Sequence, residues 1–140
     1  MKKRERQGFE NEKQQMLERV LKVRGFRYGL HKVLAEADWE FMKKIEEWVE
    51  FVYLSERHLD RRVKELVIVG ISGALRSPPE HIKAHIDAAV KAGATKDEVI
   101  VVAELVGHWG GNIAQANALE AWRRVFAPEM PAIFEPLGAK

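Results

Sequence analysis

His81 and His85 stand one helical turn apart in "SPPEHIKAH", just after a double proline. Positions i and i+4 of a helix share a face, so the two imidazoles project together from the first turns of any helix begun at Pro78. Imidazole is the side chain most easily switched near neutral pH. The partial positive charge of a helix N-terminus favours its neutral form, which accepts a proton or binds a metal. Three readings follow: a metal clamp, an acid/base pair in a pocket, or two surface residues on one face. The metal reading requires a further ligand, for which Glu65 in "RRVKELVIVG" is the nearest candidate, and two histidines with a carboxylate make an open iron or zinc site. No H-E-x-x-H glutamate accompanies the pair.

Glu65 directly precedes the most apolar run of the chain. Burial there demands a partner or a raised pKa, and either state serves proton transfer. The competing reading is a helix-surface glutamate paired with Arg61 or Arg62, four and three residues back. His108, Trp109 and Asn112 in "ELVGHWGGNIAQAN" are compatible with a pocket wall facing a ligand, or with a helix packed closely through its glycines. The other tryptophans, Trp39, Trp48 and Trp122, read as core or interface.

The elements that must position these groups are helical. In "DWEFMKKIEEWVEFVYL", Trp39, Met42, Ile45, Trp48/Val49 and Val52 recur at three- and four-residue steps behind Asp38 as N-cap. The β-branched run Leu66–Ile71 suits a buried strand or a buried helix; Gly70, Ser72 and Gly73 favour a helix approached closely by a neighbour. Ser77, Pro78 and Glu80 form a capping-box pattern opening the next helix, which is expected to stop at Gly93. Thr95 and Glu98 repeat the box. A long helix follows, softened by Gly107, Gly110 and Gly111, and ends at Pro128. The expectation is one all-α domain over residues 1–140, with a charged N-terminal helix or arm over 1–30 and a proline-containing extended tail over 128–140.

Composition narrows the chemistry. With no cysteine among 140 residues, disulfides, thiolate metal sites and thiol redox mechanisms are excluded. Residues 1–30 hold nine basic side chains against four acidic ones, leaving −3 for the rest of a chain of net charge +2. Because acids interleave with the bases and no repeated aromatics accompany them, this segment reads as a solvated or subunit-wrapping helix, with no nucleic-acid partner. Neither a membrane-length apolar run nor a secretory leader is seen, so the expected setting is the cytoplasm, without a membrane partner.

"LDRRVKELVIVGISGAL", "HIKAHIDAAVKAGATKDEV" and "HWGGNIAQANALEAWRRVF" together resemble the carboxymuconolactone decarboxylase family, which includes the alkylhydroperoxidase D-like proteins, over about residues 38 to 127. The resemblance implies an all-α, alkylhydroperoxidase D-like subunit with a helical hairpin core, assembled as a trimer or hexamer. Its peroxidase branch resembles C-x-x-C-x-x-x-H. With that histidine at His85, the thiol positions fall on Pro78 and His81, so thiol peroxidase activity is excluded. Glu65 and His85, the proton-handling half, are similar to the decarboxylase branch, which uses no cofactor. In that reaction CO2 leaves a carbon conjugated through a double bond to a lactone carbonyl, and a proton arrives at the far carbon. Donors must face the developing oxyanion and an acid must stand near the carbon. The resemblance therefore implies His85 and Glu65 as catalytic residues, His81 and His108 as donors, and Arg76 as the clamp for an anionic lactone or carboxylic acid. Around Arg76 and in "HWGGNIAQ" the chain departs from the decarboxylase pattern, which leaves the substrate open. The alternatives are a non-catalytic ligand-binding or structural homo-oligomer and a metal-dependent enzyme using His81, His85 and Glu65.

Overall fold

Capping residues and apolar spacing set the helix boundaries in the computed structural model, which describes residues 3–138. Residues 1–2 of the expected arm and 139–140 of the expected tail lie outside the described residues. No strand occurs among those described, so the β-branched Leu66–Ile71 run is helical. The helices are α1 (Lys3–Arg24), α2 (Gly29–Ala37), α3 (Trp39–Val49), α4 (Arg61–Ala74), α5 (Pro79–Lys91), α6 (Lys96–Gly110) and α7 (Asn112–Phe126). A π-helical turn, Glu50–Leu54, continues α3. The chain folds as two compact units, one up to Glu56 and one from Arg57 on.

In the first unit α1, α2 and α3 enclose Leu17, Val20, Ala35, Trp39 and Met42. Asp38 caps α3 as expected, its carboxylate accepting from the Phe41 N–H at 3.0 Å. The apolar stripe, however, does not run the length of that helix. Trp48 is 65% exposed and Val52 is also exposed, whereas Glu46 is buried. Glu46 points inward because Arg24 of α1 meets it at 2.5 Å, and the wider turn from Glu50 onward alters the register of the residues beyond. Arg24 also lies 3.1 Å from Nε2 of buried His31, so an ionic cluster occupies the end of this core.

The second unit is a four-helix assembly in which α4 packs on α5 and α6, while α7 packs on α5 and α6. Its core holds Val69, Ile82, Ile86, Val99 and Ala121, extended by Ala103, Val106, Ala114 and Ala118. Gly73 lies where α4 meets α6 and α7. A Cβ there would stand 3.0 Å from a Val106 methyl and 3.4 Å from the Ala118 Cβ. Thus the small residue does let a neighbour approach, as "GISGA" suggests.

The links between these helices follow the sequence signals with two exceptions. Asp60 caps α4 by accepting from Val63 N–H at 2.8 Å. Gly93 follows α5 with φ +98° and its N–H bonds to the Val90 carbonyl. Thr95 and Glu98 form the reciprocal box at the start of α6. Ser77, by contrast, does not cap α5: its N–H bonds to the Ser72 carbonyl, Pro78 is the cap residue and Pro79 opens the helix. Glu80, freed from a box, pairs with Arg124 of α7. Further on, the expected long helix is two. Gly111, at φ +81°, breaks it, and α7 restarts at Asn112.

The tail is tied back rather than free. Arg123 donates to the carbonyls of Pro128 and Met130, and buried Glu120 accepts from the Ile133 N–H at 3.0 Å. Arg123 and Arg124 both donate to Glu120 as well. Led by the Arg123 bond, these donors hold the Glu120 carboxyl down at about 2, against an ordinary value of 4.5.

Two stability predictions follow from this packing. Because its folded-state pKa is depressed, Glu120 contributes stability that is full above about pH 4.5 and fades as pH falls toward about 2. Glu120→Ala should cost on the order of 3 kcal/mol at pH 7, since two arginines lose a buried partner. Urea unfolding should show the gap from wild type narrowing at pH 3; an equal gap at both pH values would contradict this origin. Gly73→Ala should cost roughly 1–3 kcal/mol by crowding Val106, read as a lowered urea midpoint with an unchanged slope.

Candidate acid/base site

The site is made by two helices that each present a pair of residues one turn apart. α4 carries Arg61 and Glu65, and α5 carries His81 and His85. Packing of α4 on α5 brings Oε2 of Glu65 to 2.8 Å from Nδ1 of His85. Arg61 Nε donates to the other oxygen, Oε1, at 2.6 Å. Glu65 is 0% exposed and His85 6% exposed, so this contact is inside the protein. A carboxylate out of water requires charge-assisted donors on its oxygens, and Arg61 and His85 supply them.

The hydrogen bond fixes the chemistry of the imidazole. An ionised carboxylate only accepts, so Nδ1 carries the proton and donates to Glu65. In the neutral ring Nε2 is then the nitrogen with the lone pair, able to take a proton from a guest and return it. The ring of His81 stands 5.0 Å from that of His85, tilted by 58°. Burial, and then the neighbouring His85, push the His81 pKa below the usual imidazole range. His81 is therefore neutral at pH 7 and can donate a hydrogen bond without competing for the proton of His85.

The remaining candidates are exposed. Arg76 is exposed in the link between α4 and α5, with φ +57°, a rare conformation for a residue with a side chain. His108 and Trp109 occupy the last turn of α6, stacked edge to face with centroids 5.3 Å apart. Both are exposed, Trp109 by 85%, and so is Asn112. Trp109 borders an open apolar groove of about 420 Å³, lined on α4 by Val63, Val67 and Gly70 among others. At about 100° per residue, Val67 points roughly 200° round α4 from Glu65, so groove and acid/base pair use opposite faces of that helix.

Sequence reasoning finds Glu65, His85 and His81 but treats Arg61 only as a competing surface partner. In the structure both partnerships exist at once, since each carboxylate oxygen serves one of them. Arg62, the other arginine considered, pairs with Glu98 of α6. The groove leaves a signal too, in the four-residue steps Val63–Val67–Ile71 and Leu105–Trp109. Among the described residues, no three His, Asp or Glu side chains are arranged to hold a metal ion. No described helix is long and apolar enough to cross a membrane.

The carboxymuconolactone decarboxylase family model matches residues 40–124, well over half of the chain. No curated protein and no solved structure matches it.

The His81 environment is checked by NMR titration. Its midpoint should lie below that of a free imidazole, and His85→Ala should raise it by removing the neighbouring imidazole and part of the burial that disfavour its charge. A midpoint unmoved by the substitution would show that the two rings do not sense one another.

Proposed function

Because the chain belongs to the carboxymuconolactone decarboxylase family, we propose that it is a cofactor-independent lyase acting on a small unsaturated lactone or related carboxylic acid. The observation that carries this reading is the buried Glu65–His85 hydrogen bond, with Nε2 of His85 as the working nitrogen. The absence of cysteine removes the thiol half of the chemistry associated with this resemblance and leaves the proton-handling half.

Decarboxylation of a conjugated lactone acid suits such a site. When the C–CO2 bond breaks, its electron pair moves through the double bond toward the carbonyl oxygen, where negative charge accumulates. A hydrogen-bond donor at that oxygen lowers the barrier, and neutral His81, whose ring lies 5.0 Å from that of His85, takes this role. The electron pair then returns to carbon as a proton arrives there, a step for His85 once its Nε2 has taken the proton of the substrate's carboxylic acid, with Glu65 stabilising the imidazolium. Nearby positive charge for the substrate carboxylate comes from Arg61 rather than from the exposed Arg76. The exposed apolar groove on the other face of α4 supports the companion reading that copies of the chain assemble with one another.

Lactone acids screened by loss of ultraviolet absorbance test the reading. His85→Ala should lower kcat at least 10²-fold in a protein that keeps its helicity and its sedimentation behaviour. Unchanged turnover would remove His85 from the mechanism.

A further inference from the structure

We propose that Arg61 is a positioning residue of this site: by holding Oε1 of Glu65 it keeps that carboxylate charged and aims Oε2 at Nδ1 of His85. The proposal rests on the acid/base reading above, but its geometry is independent of any substrate.

Local helix energetics do not account for the Arg61–Glu65 pair. Arg61 is the first residue of α4, where the helix dipole disfavours a cation. Its glutamate lies four residues toward the C-terminus, the weaker of the two orders for an i,i+4 ion pair. A pair so placed contributes little as a surface bridge. Yet the contact is short, 2.6 Å, and it ends on a carboxylate that is wholly buried, while the arginine side chain keeps about a third of its surface in water. That combination suits a charge delivered from the rim to a group inside.

The consequence falls on His85. With both oxygens engaged, rotation of the carboxylate is blocked and one lone pair faces Nδ1. His85 is then held as the Nδ1–H tautomer, which puts the ring's lone pair on Nε2. Removing the positive charge favours uptake of a proton by the Glu65–His85 pair, whichever of the two holds it. Besides the pair itself, α4 carries Arg61, Arg62 and Lys64, and α5 carries Glu80, His81, Lys83, Asp87 and Lys91. Arg62 is neutralised by Glu98 of α6, Glu80 by Arg124 of α7, and Lys83 by Asp87. Arg61 is bonded to Glu65 itself.

The test is ¹⁵N NMR of the histidine rings across pH in wild type, Arg61→Met, Arg61→Gln and Arg61→Lys, each verified as folded by circular dichroism. Wild type should show the Nδ1–H tautomer of His85 above its titration. Both neutral variants should move the midpoint of the pair upward by roughly one pH unit, and Arg61→Lys should restore most of the shift. Should Arg61→Met not fold, Arg61→Gln against Arg61→Lys decides the matter. A His85 spectrum and midpoint identical in wild type and neutral variants would overturn the proposal, as would a midpoint equally displaced by lysine. Failure of the lyase reading looks different: no lactone is turned over, while the His85 resonances still respond to Arg61→Met.

Discussion

A carboxylate removed from water is the constraint around which this protein's candidate site is organised. Glu65 has no solvent to stabilise its charge, so its partners must do so. Arg61 takes one oxygen and His85 the other. The cost of burying the charge is tolerable only because both contacts are short and charge-assisted. In return the interior gains an imidazole of defined tautomer beside a second imidazole whose pKa burial pushes down. Two histidines with rings 5.0 Å apart would ordinarily compete for the same proton. Here the carboxylate settles which of them carries it.

That arrangement depends on the four helices of the second unit. Asp60 fixes where α4 begins, and hence the rotation at which Arg61 and Glu65 face α5. Pro79 at the first position of α5 does the same for His81 and His85. Gly73 lets α6 and α7 approach α4, so the helix that supplies the carboxylate is clamped between its neighbours. Glu80, at the start of α5, is bound to Arg124, which is bound in turn to Glu120, and Glu120 also holds the tail at Ile133. The end of the chain is thereby tied, through three side chains, to the turn that bears His81.

Much of this was readable before the structure. The Thr95–Glu98 capping box, the Asp38 N-cap and the stop at Gly93 have local causes, and local causes are written in neighbouring residues. Glu65 and His85 were legible for the same kind of reason: a carboxylate abutting an apolar run and an imidazole near a helix start. What was not legible depended on partners distant in sequence. Trp48 and Val52 fit a helical stripe, but Arg24 draws Glu46 inward and leaves them outside. Ser77 fits a cap, but the Ser72 carbonyl takes its N–H. Trp109 sits beside a histidine in sequence, yet the winding of α6 places it at a groove facing away from the Glu65 side of α4. Proximity along the chain and convergence in space part company at that point.

The central claim is that Glu65 is an anion in a dry interior, held there by Arg61 and donating nothing to His85. Infrared difference spectroscopy on protein labelled with ¹³C-glutamate, comparing wild type with Glu65→Gln at pH 7, addresses it directly. The account predicts that the substitution removes a carboxylate stretch and no carboxylic-acid carbonyl band. An acid carbonyl band present in wild type and missing from Glu65→Gln would contradict it.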